Sequence, residues 1–179
     1  MNRRHVLSAL MGLLSFRAAA QLEVGAMAPD FSLRAALDGR EFRYSLSDAL
    51  AKGPVVLYFF PAAYSDGCSV EANTFAEAMA DFNAAGVSVV GVSADDMQTL
   101  SLFSKQACQG KFPVASDADQ RVMRAYDAAM RTRPEYATRV SFVIARDGKI
   151  VFTYKSLEPT RHVAKALAAV KQLAGTPAR

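Results

Sequence analysis

The strongest patterning in the chain is an unbroken apolar run over residues 55–60, Val-Val-Leu-Tyr-Phe-Phe, opened by Gly53-Pro54 and closed by Pro61. β-Branched and aromatic residues without polar alternation predict a strand buried on both faces, as at the centre of a parallel sheet. Beyond it the periodicity becomes helical. Phe75, Ala78/Met79, Phe82 and Ala85 share one face of a helix predicted over 69–85 and ended by Gly86. A second apolar strand is predicted at 87–92. A helix over 97–108 follows Asp95-Asp96, whose acidic side chains suit a helix start. A short edge segment at 112–115 and a helix at 119–126 come next.

Hairpin signals bracket this series. Asp38-Gly39 separates strands predicted at 31–33 and 41–44, and Asp147-Gly148 separates 140–145 from 150–154. Ser47-Asp48 caps a short helical turn between the first hairpin and the central strand. The last helix, over 160–174, presents Val163, Ala166/Leu167, Val170 and Leu173/Ala174 on one face. The fold class is therefore α/β. Its plan is the thioredoxin fold, a central mixed sheet with helices on both faces and an N-terminal hairpin extension. Such sheets present their chemistry at the carboxyl end of a central strand, here the end of 55–60.

That end carries a cysteine. Pro61-Ala62-Ala63-Tyr64-Ser65-Asp66-Gly67 forms a short turn that delivers Cys68 to a helix N-terminus. Unpaired N–H groups and the helix dipole favour an anion there, and thiolate is the reactive form of cysteine. Against this stands the plainer alternative of a small buried core cysteine.

The spacing of Pro61, Ser65 and Cys68 resembles the active-site signature of the peroxiredoxins. Phe60 to Ala72 resembles most closely the bacterioferritin-comigratory-protein (PrxQ-type) branch. The resemblance extends to Gly25-Ala26-Met27-Ala28-Pro29-Asp30-Phe31, to Lys111-Phe112-Pro113-Val114-Ala115-Ser116-Asp117 and to Arg139-Val140-Ser141-Phe142-Val143-Ile144. It covers about 24–173. It implies that Cys68 is the peroxidatic nucleophile, oxidised by peroxide to a sulfenic acid. It implies that the Arg139 guanidinium favours the thiolate and donates to the peroxide. Ser65 stands where most of the family has threonine, with a hydroxyl for the peroxide and the thiolate, and Pro61 covers the thiolate from water. Glu71 matches the family's C-x-x-E-A pattern, and an acidic first-turn residue favoured by the dipole is an equal reading.

One departure matters. Asn73 occupies the position, five residues after Cys68, where many such enzymes carry a resolving cysteine. Cys108 is the one other thiol of the chain, so either it resolves Cys68 or it is a packing residue and an external thiol does so.

The N-terminus reads as an address. Asn2-Arg3-Arg4-His5 precedes an apolar run, Val6 to Phe16, too short for the roughly 20 residues that span a bilayer. Ala18-Ala19-Ala20 offers a cleavage site. Residues 1–20 are expected to be a cleaved export signal, by the Sec or twin-arginine route, and 21–179 one peroxiredoxin domain in the periplasm or another exported compartment. Without Arg3, Arg4 and Arg17 the chain has 18 basic and 17 acidic residues, and its formal charge falls from +4 to +1. The precursor's basicity is thus no argument for nucleic acid, and no membrane contact is expected after signal cleavage.

Two cysteines are too few for a disulfide scaffold, and His162 is the only histidine beyond His5. No cofactor is implied, neither metal, haem nor flavin. The expected partners are a peroxide and a thioredoxin-like, glutaredoxin-like or small-molecule thiol reductant, with the protein a monomer or weak dimer. Rivals fare less well. A glutathione-peroxidase-like site wants a tryptophan, and there is none. A disulfide oxidoreductase wants C-x-x-C, but Ser65 holds the partner position. An exported metal chaperone wants a cysteine where Ala72 stands. A non-catalytic redox sensor or chaperone remains the alternative to the enzyme.

Overall fold

The computed structural model describes residues 22–175. The expected signal, residues 1–20, and the expected new N-terminus at Gln21 lie outside the described residues, as does the side chain of Ala174. In chain order the elements are β1 (Ser32–Leu37), β2 (Arg40–Ser45), α1 (Leu46–Lys52), β3 (Val55–Phe59), α2 (Asp66–Ala84), β4 (Ser88–Ser93), α3 (Met97–Gln106), β5 (Val114–Ser116), α4 (Arg121–Ala125), β6 (Val140–Ile144), β7 (Ile150–Lys155) and α5 (Pro159–Gly175). The strands form one mixed sheet in the order β2-β1-β5-β4-β3-β6-β7. β3 runs parallel to β4 and antiparallel to β6.

The apolar run does what its composition predicts. Val56, Tyr58 and Phe60 face a core shared with α2, α3 and α5, whereas Val55, Leu57 and Phe59 face a second core closed by α1 and α4. Both sets are essentially without solvent exposure. Each such large side chain contributes about 1.5–3 kcal/mol by leaving water, so β3 is anchored from two sides. Tyr58 stacks on Phe75 of α2 at 4.5 Å between ring centroids. Its ring lies directly over Gly91 of β4, where a Cβ would approach the ring atoms to 2.7 Å. The helix that carries Cys68 is thereby held against the strand that delivers it.

Both hairpins form where expected. Asp38 and Gly39 adopt positive φ (49° and 75°), the conformation that a two-residue turn matching strand twist requires. Other expectations need correction. The segment at 112–115, predicted at an edge, instead lies as β5 inside the sheet between β1 and β4. The N-terminal hairpin adds antiparallel to it and covers what would otherwise be an open edge. The cap of α1 is Ser45, whose Oγ accepts from the Asp48 N–H, and not Ser47-Asp48. α2 begins at Asp66, so Cys68 lies within its first turn and not before it.

Cys108 is not helical. α3 stops at Gln106, and positive φ at Gln109 and Gly110 turns the chain away, with the Cys108 N–H reaching back to the Phe103 carbonyl. α4 is shorter than the expected 119–126. The buried Asp117 carboxylate takes the N–H groups of Val122 and Met123 and so fixes its start at Arg121.

Candidate active site

Cys68 sits in the first turn of α2, 1% exposed, at the carboxyl end of β3. Arg139, next to the start of β6, reaches it across the sheet, and its Nη2 donates to the Cys68 sulfur at 3.3 Å. Nη1 of the same guanidinium pairs with Oε2 of Glu71, one turn further along α2. All three are buried, Arg139 to 6% exposure and Glu71 completely. Gly67 permits the approach, since a Cβ there would come within 3.0 Å of Nη2. Here β6, antiparallel to β3 with Val140 opposite Phe59, is what brings a residue 71 positions distant to the sulfur.

The electrostatics follow from burial. Desolvation pushes the Glu71 carboxyl up to about 8 against the pull of Arg139, which lowers it. Burial works to lower the Arg139 guanidinium, but the Glu71 carboxyl and the Cys68 sulfur outweigh it and hold it above its ordinary value. The cation beside the sulfur is therefore permanent.

The turn before Cys68 is tied down by Asp95, which sequence reasoning used only as part of a helix start. Its Oδ2 accepts from the Ala63 N–H at 2.8 Å and from the Ser93 hydroxyl at 2.8 Å. The helix cap is Asp96, which accepts from Thr99. Tyr64 holds positive φ (62°) in this turn and packs edge-on against Phe103.

Other predicted residues are placed differently. Ser65 is the N-cap residue of α2 by backbone position, but its exposed hydroxyl donates to the Ala62 carbonyl and not to Cys68. With no β-methyl to restrict its rotamer, the hydroxyl is free to satisfy the nearest carbonyl. Pro61 ends the strand, half-buried, beside Ala94 and Asp95 in a cavity of about 270 Å³.

Asn73 Nδ2 donates to the Ser69 carbonyl, while its Oδ1 accepts from Gln109, next in sequence to Cys108. Cys108 itself is a free, fully buried thiol, and burial pushes it well above the usual range. It shares one apolar cluster with Cys68 and Tyr58. The buried Tyr58 hydroxyl has no hydrogen-bond partner, and burial raises it, reinforced by Cys108, Glu71 and Cys68 and opposed by Arg139. Nothing in the apolar run marked Tyr58 as lying among these groups.

A thiol held beside a fixed cation in the first turn of a helix is suited to nucleophilic attack on a small polarisable substrate. Comparison with known proteins agrees. The AhpC/TSA family model matches residues 24–153. A Mycobacterium tuberculosis (strain H37Rv) protein that carries a provisional peroxiredoxin name is 38% identical over 151 residues, 81% of this chain and 92% of its own. The crystal structure of peroxidoxin BcpB from the same organism superposes with a TM-score of 0.77 at 29% identity, covering 85% of this chain and 98% of that one. A Xanthomonas campestris bacterioferritin comigratory protein, studied for alkyl peroxide reduction, gives 0.70 at 27%, covering 79% and 92%.

Glu71 generates a stability prediction. Its carboxyl is raised in the folded state, so its contribution is fully present below the unfolded value near 4.5 and is lost as pH rises through about 8. Folding stability should therefore fall by an amount on the order of a few kcal/mol across that window. Glu71→Gln should flatten the fall, as read from denaturant midpoints at each pH. Equal slopes in both proteins would contradict this account.

Proposed function

This chain belongs to the AhpC/TSA family, is a thiol-dependent peroxidase of its peroxiredoxin branch, and we propose that Cys68 is the residue that meets the peroxide. It takes a peroxide as substrate and a thiol as reductant. The observation that carries the residue assignment is the Arg139 Nη2 at 3.3 Å from a sulfur in the first turn of α2. The Cys68 thiolate attacks one peroxide oxygen, an S–O bond forms as the O–O bond breaks, and the leaving oxygen takes a proton to become water or alcohol. Arg139 favours the thiolate and donates to the oxygens as charge moves onto them. Hydrogen peroxide and small organic hydroperoxides are the proposed substrates, in keeping with the alkyl peroxide reduction studied in the Xanthomonas relative.

For resolution we propose Cys108. Support comes from its place in the apolar cluster of Cys68 and from the Asn73–Gln109 contact that joins the two segments. Its buried thiol, held protonated, can reach the sulfenic acid only after local opening near 69–73, which makes resolution the slow step. Once ionised it attacks the Cys68 sulfur, an S–S bond forms as the S–O bond breaks, and the hydroxyl leaves as water. The disulfide formed would be reopened by an exported thioredoxin-like, glutaredoxin-like or small-molecule thiol. The proposed compartment is the periplasm or an equivalent, reached through the signal at residues 1–20, and the proposed working form is a monomer or weak dimer.

Cys68→Ser should abolish peroxide consumption with the fold intact, and Arg139→Met should slow Cys68 oxidation by about 10²–10³. Substantial turnover without Cys68 would overturn the assignment. Cys108→Ser should keep the first oxidation rate yet lose turnover with a dithiol, and over-oxidise sooner. Wild-type turnover in that variant would make Cys108 a packing residue. N-terminal sequencing of protein from its native host should begin near Gln21, and an intact Met1 on cytoplasmic protein would refute export.

A further inference from the structure

Half of the Glu71 carboxylate is unaccounted for. Oε2 pairs with Arg139, but Oε1 is buried without a hydrogen-bond partner. It faces Nδ1 of His162 at 3.8 Å, from the first turns of α5. His162 is itself completely buried. Its Nε2 lies 3.0 Å from the Ser156 carbonyl, which only accepts, so Nε2 carries the proton. Nδ1 is left as the acceptor, 2.8 Å from the Ser141 hydroxyl. Desolvation lowers the imidazole, opposed by Ser156 and assisted by Arg139, while burial raises the Glu71 carboxyl.

Charge counting gives this contact a role. With Cys68 as thiol, Arg139 and ionised Glu71 balance. With Cys68 as thiolate, one cation faces two anions in a site shut off from water, and an uncompensated buried charge is costly. One additional proton restores neutrality, and the two atoms placed to hold it are Glu71 Oε1 and His162 Nδ1. Among the described residues, the other nearby groups do not compete. Tyr58 from β3 and Cys108 beyond α3 are held protonated by burial. β6 offers Arg139 and the Ser141 hydroxyl, and β7 the Tyr154 ring, edge-on to His162 at 4.9 Å.

We propose that the Glu71–His162 pair, its facing atoms 3.8 Å apart, takes up one proton, on either partner, that offsets the ionisation of Cys68, which makes His162 a positioning residue for peroxide reduction. The inference rests on Cys68 being the nucleophile. In the singly protonated site, the proton moves from sulfur to the pair without any change in proton count. The thiolate fraction is then independent of pH between two macroscopic steps that belong to the coupled site as a whole.

The test is the rate of Cys68 oxidation by hydrogen peroxide in the full chain, from about pH 5 to about pH 10, followed by rapid quench and mass spectrometry. Wild type should show two steps separated by a plateau. Glu71→Gln should show one step. His162→Leu should lower the plateau by about tenfold, and His162→Asn, which keeps an acceptor near Nδ1, should recover part of it. Because a leucine at 162 can disturb α5, the wild-type imidazole ¹⁵N signals are read as well. Their pH-dependent change should move to lower pH when Cys68 is blocked by methyl disulfide formation, since the sulfur's charge is then gone. A single step in wild type, an unchanged profile in a folded His162→Leu protein, or His162 signals indifferent to the sulfur's state would each overturn the pair alone. Peroxide turnover that survives Cys68→Ser would instead overturn the functional reading beneath it.

Discussion

The buried pairing of Arg139 with Glu71 beneath the Cys68 sulfur is the constraint on which the rest depends. Removing one partner of such a contact leaves a buried donor or acceptor without its hydrogen bond, at a cost of about 1–3 kcal/mol. The pair therefore acts as a clamp. It fixes the register between α2, which supplies Cys68 and Glu71, and the head of β6, which supplies Arg139. The guanidinium is planar with donors on fixed vectors, so one side chain addresses the carboxylate with Nη1 and the sulfur with Nη2. An ammonium also has three donors, but on a flexible four-carbon stem it does not hold two acceptors on fixed vectors.

The scaffold makes that clamp affordable by locking everything that leads to it. β3 is buried on both faces, so its end is packed from two sides by the two cores. Tyr58 ties β3 to α2 through Phe75 and reaches over Gly91 to β4. Asp95 ties the intervening turn to β4 through Ala63 and Ser93. The turn can then carry an exposed Ser65 and a positive-φ Tyr64 without loosening the sulfur's position.

Much of this was legible in the sequence because it is local. Apolar runs and helical periodicity place β3, β4, α2 and α5, and Asp-Gly places both hairpins. The order of elements yields the thioredoxin plan, and the motif around Cys68 yields the family. What misread were the features decided by partners distant in sequence. A three-residue strand such as β5 looks like an edge until the N-terminal hairpin docks on it. The start of α4 is set by Asp117, a residue outside any helical pattern. The hydroxyl of Ser65 donates to the Ala62 carbonyl, a local partner that the motif alone did not indicate.

The sequence by itself determined that a cysteine stands at the strand–helix junction of an α/β domain, with an arginine at the head of a later strand, because strand burial and helix periodicity are properties of neighbouring residues. Tertiary structure alone decided which charges share the buried volume around that cysteine. Glu71 could be read from sequence as a first-turn acid favoured by the dipole, His162 as a lone histidine with no metal-binding companions and Tyr58 as one more apolar residue. They become a single electrostatic system only when β6 lies against β3 and α5 packs on α2. Desolvation then depends on the whole enclosure, and no window of sequence contains it.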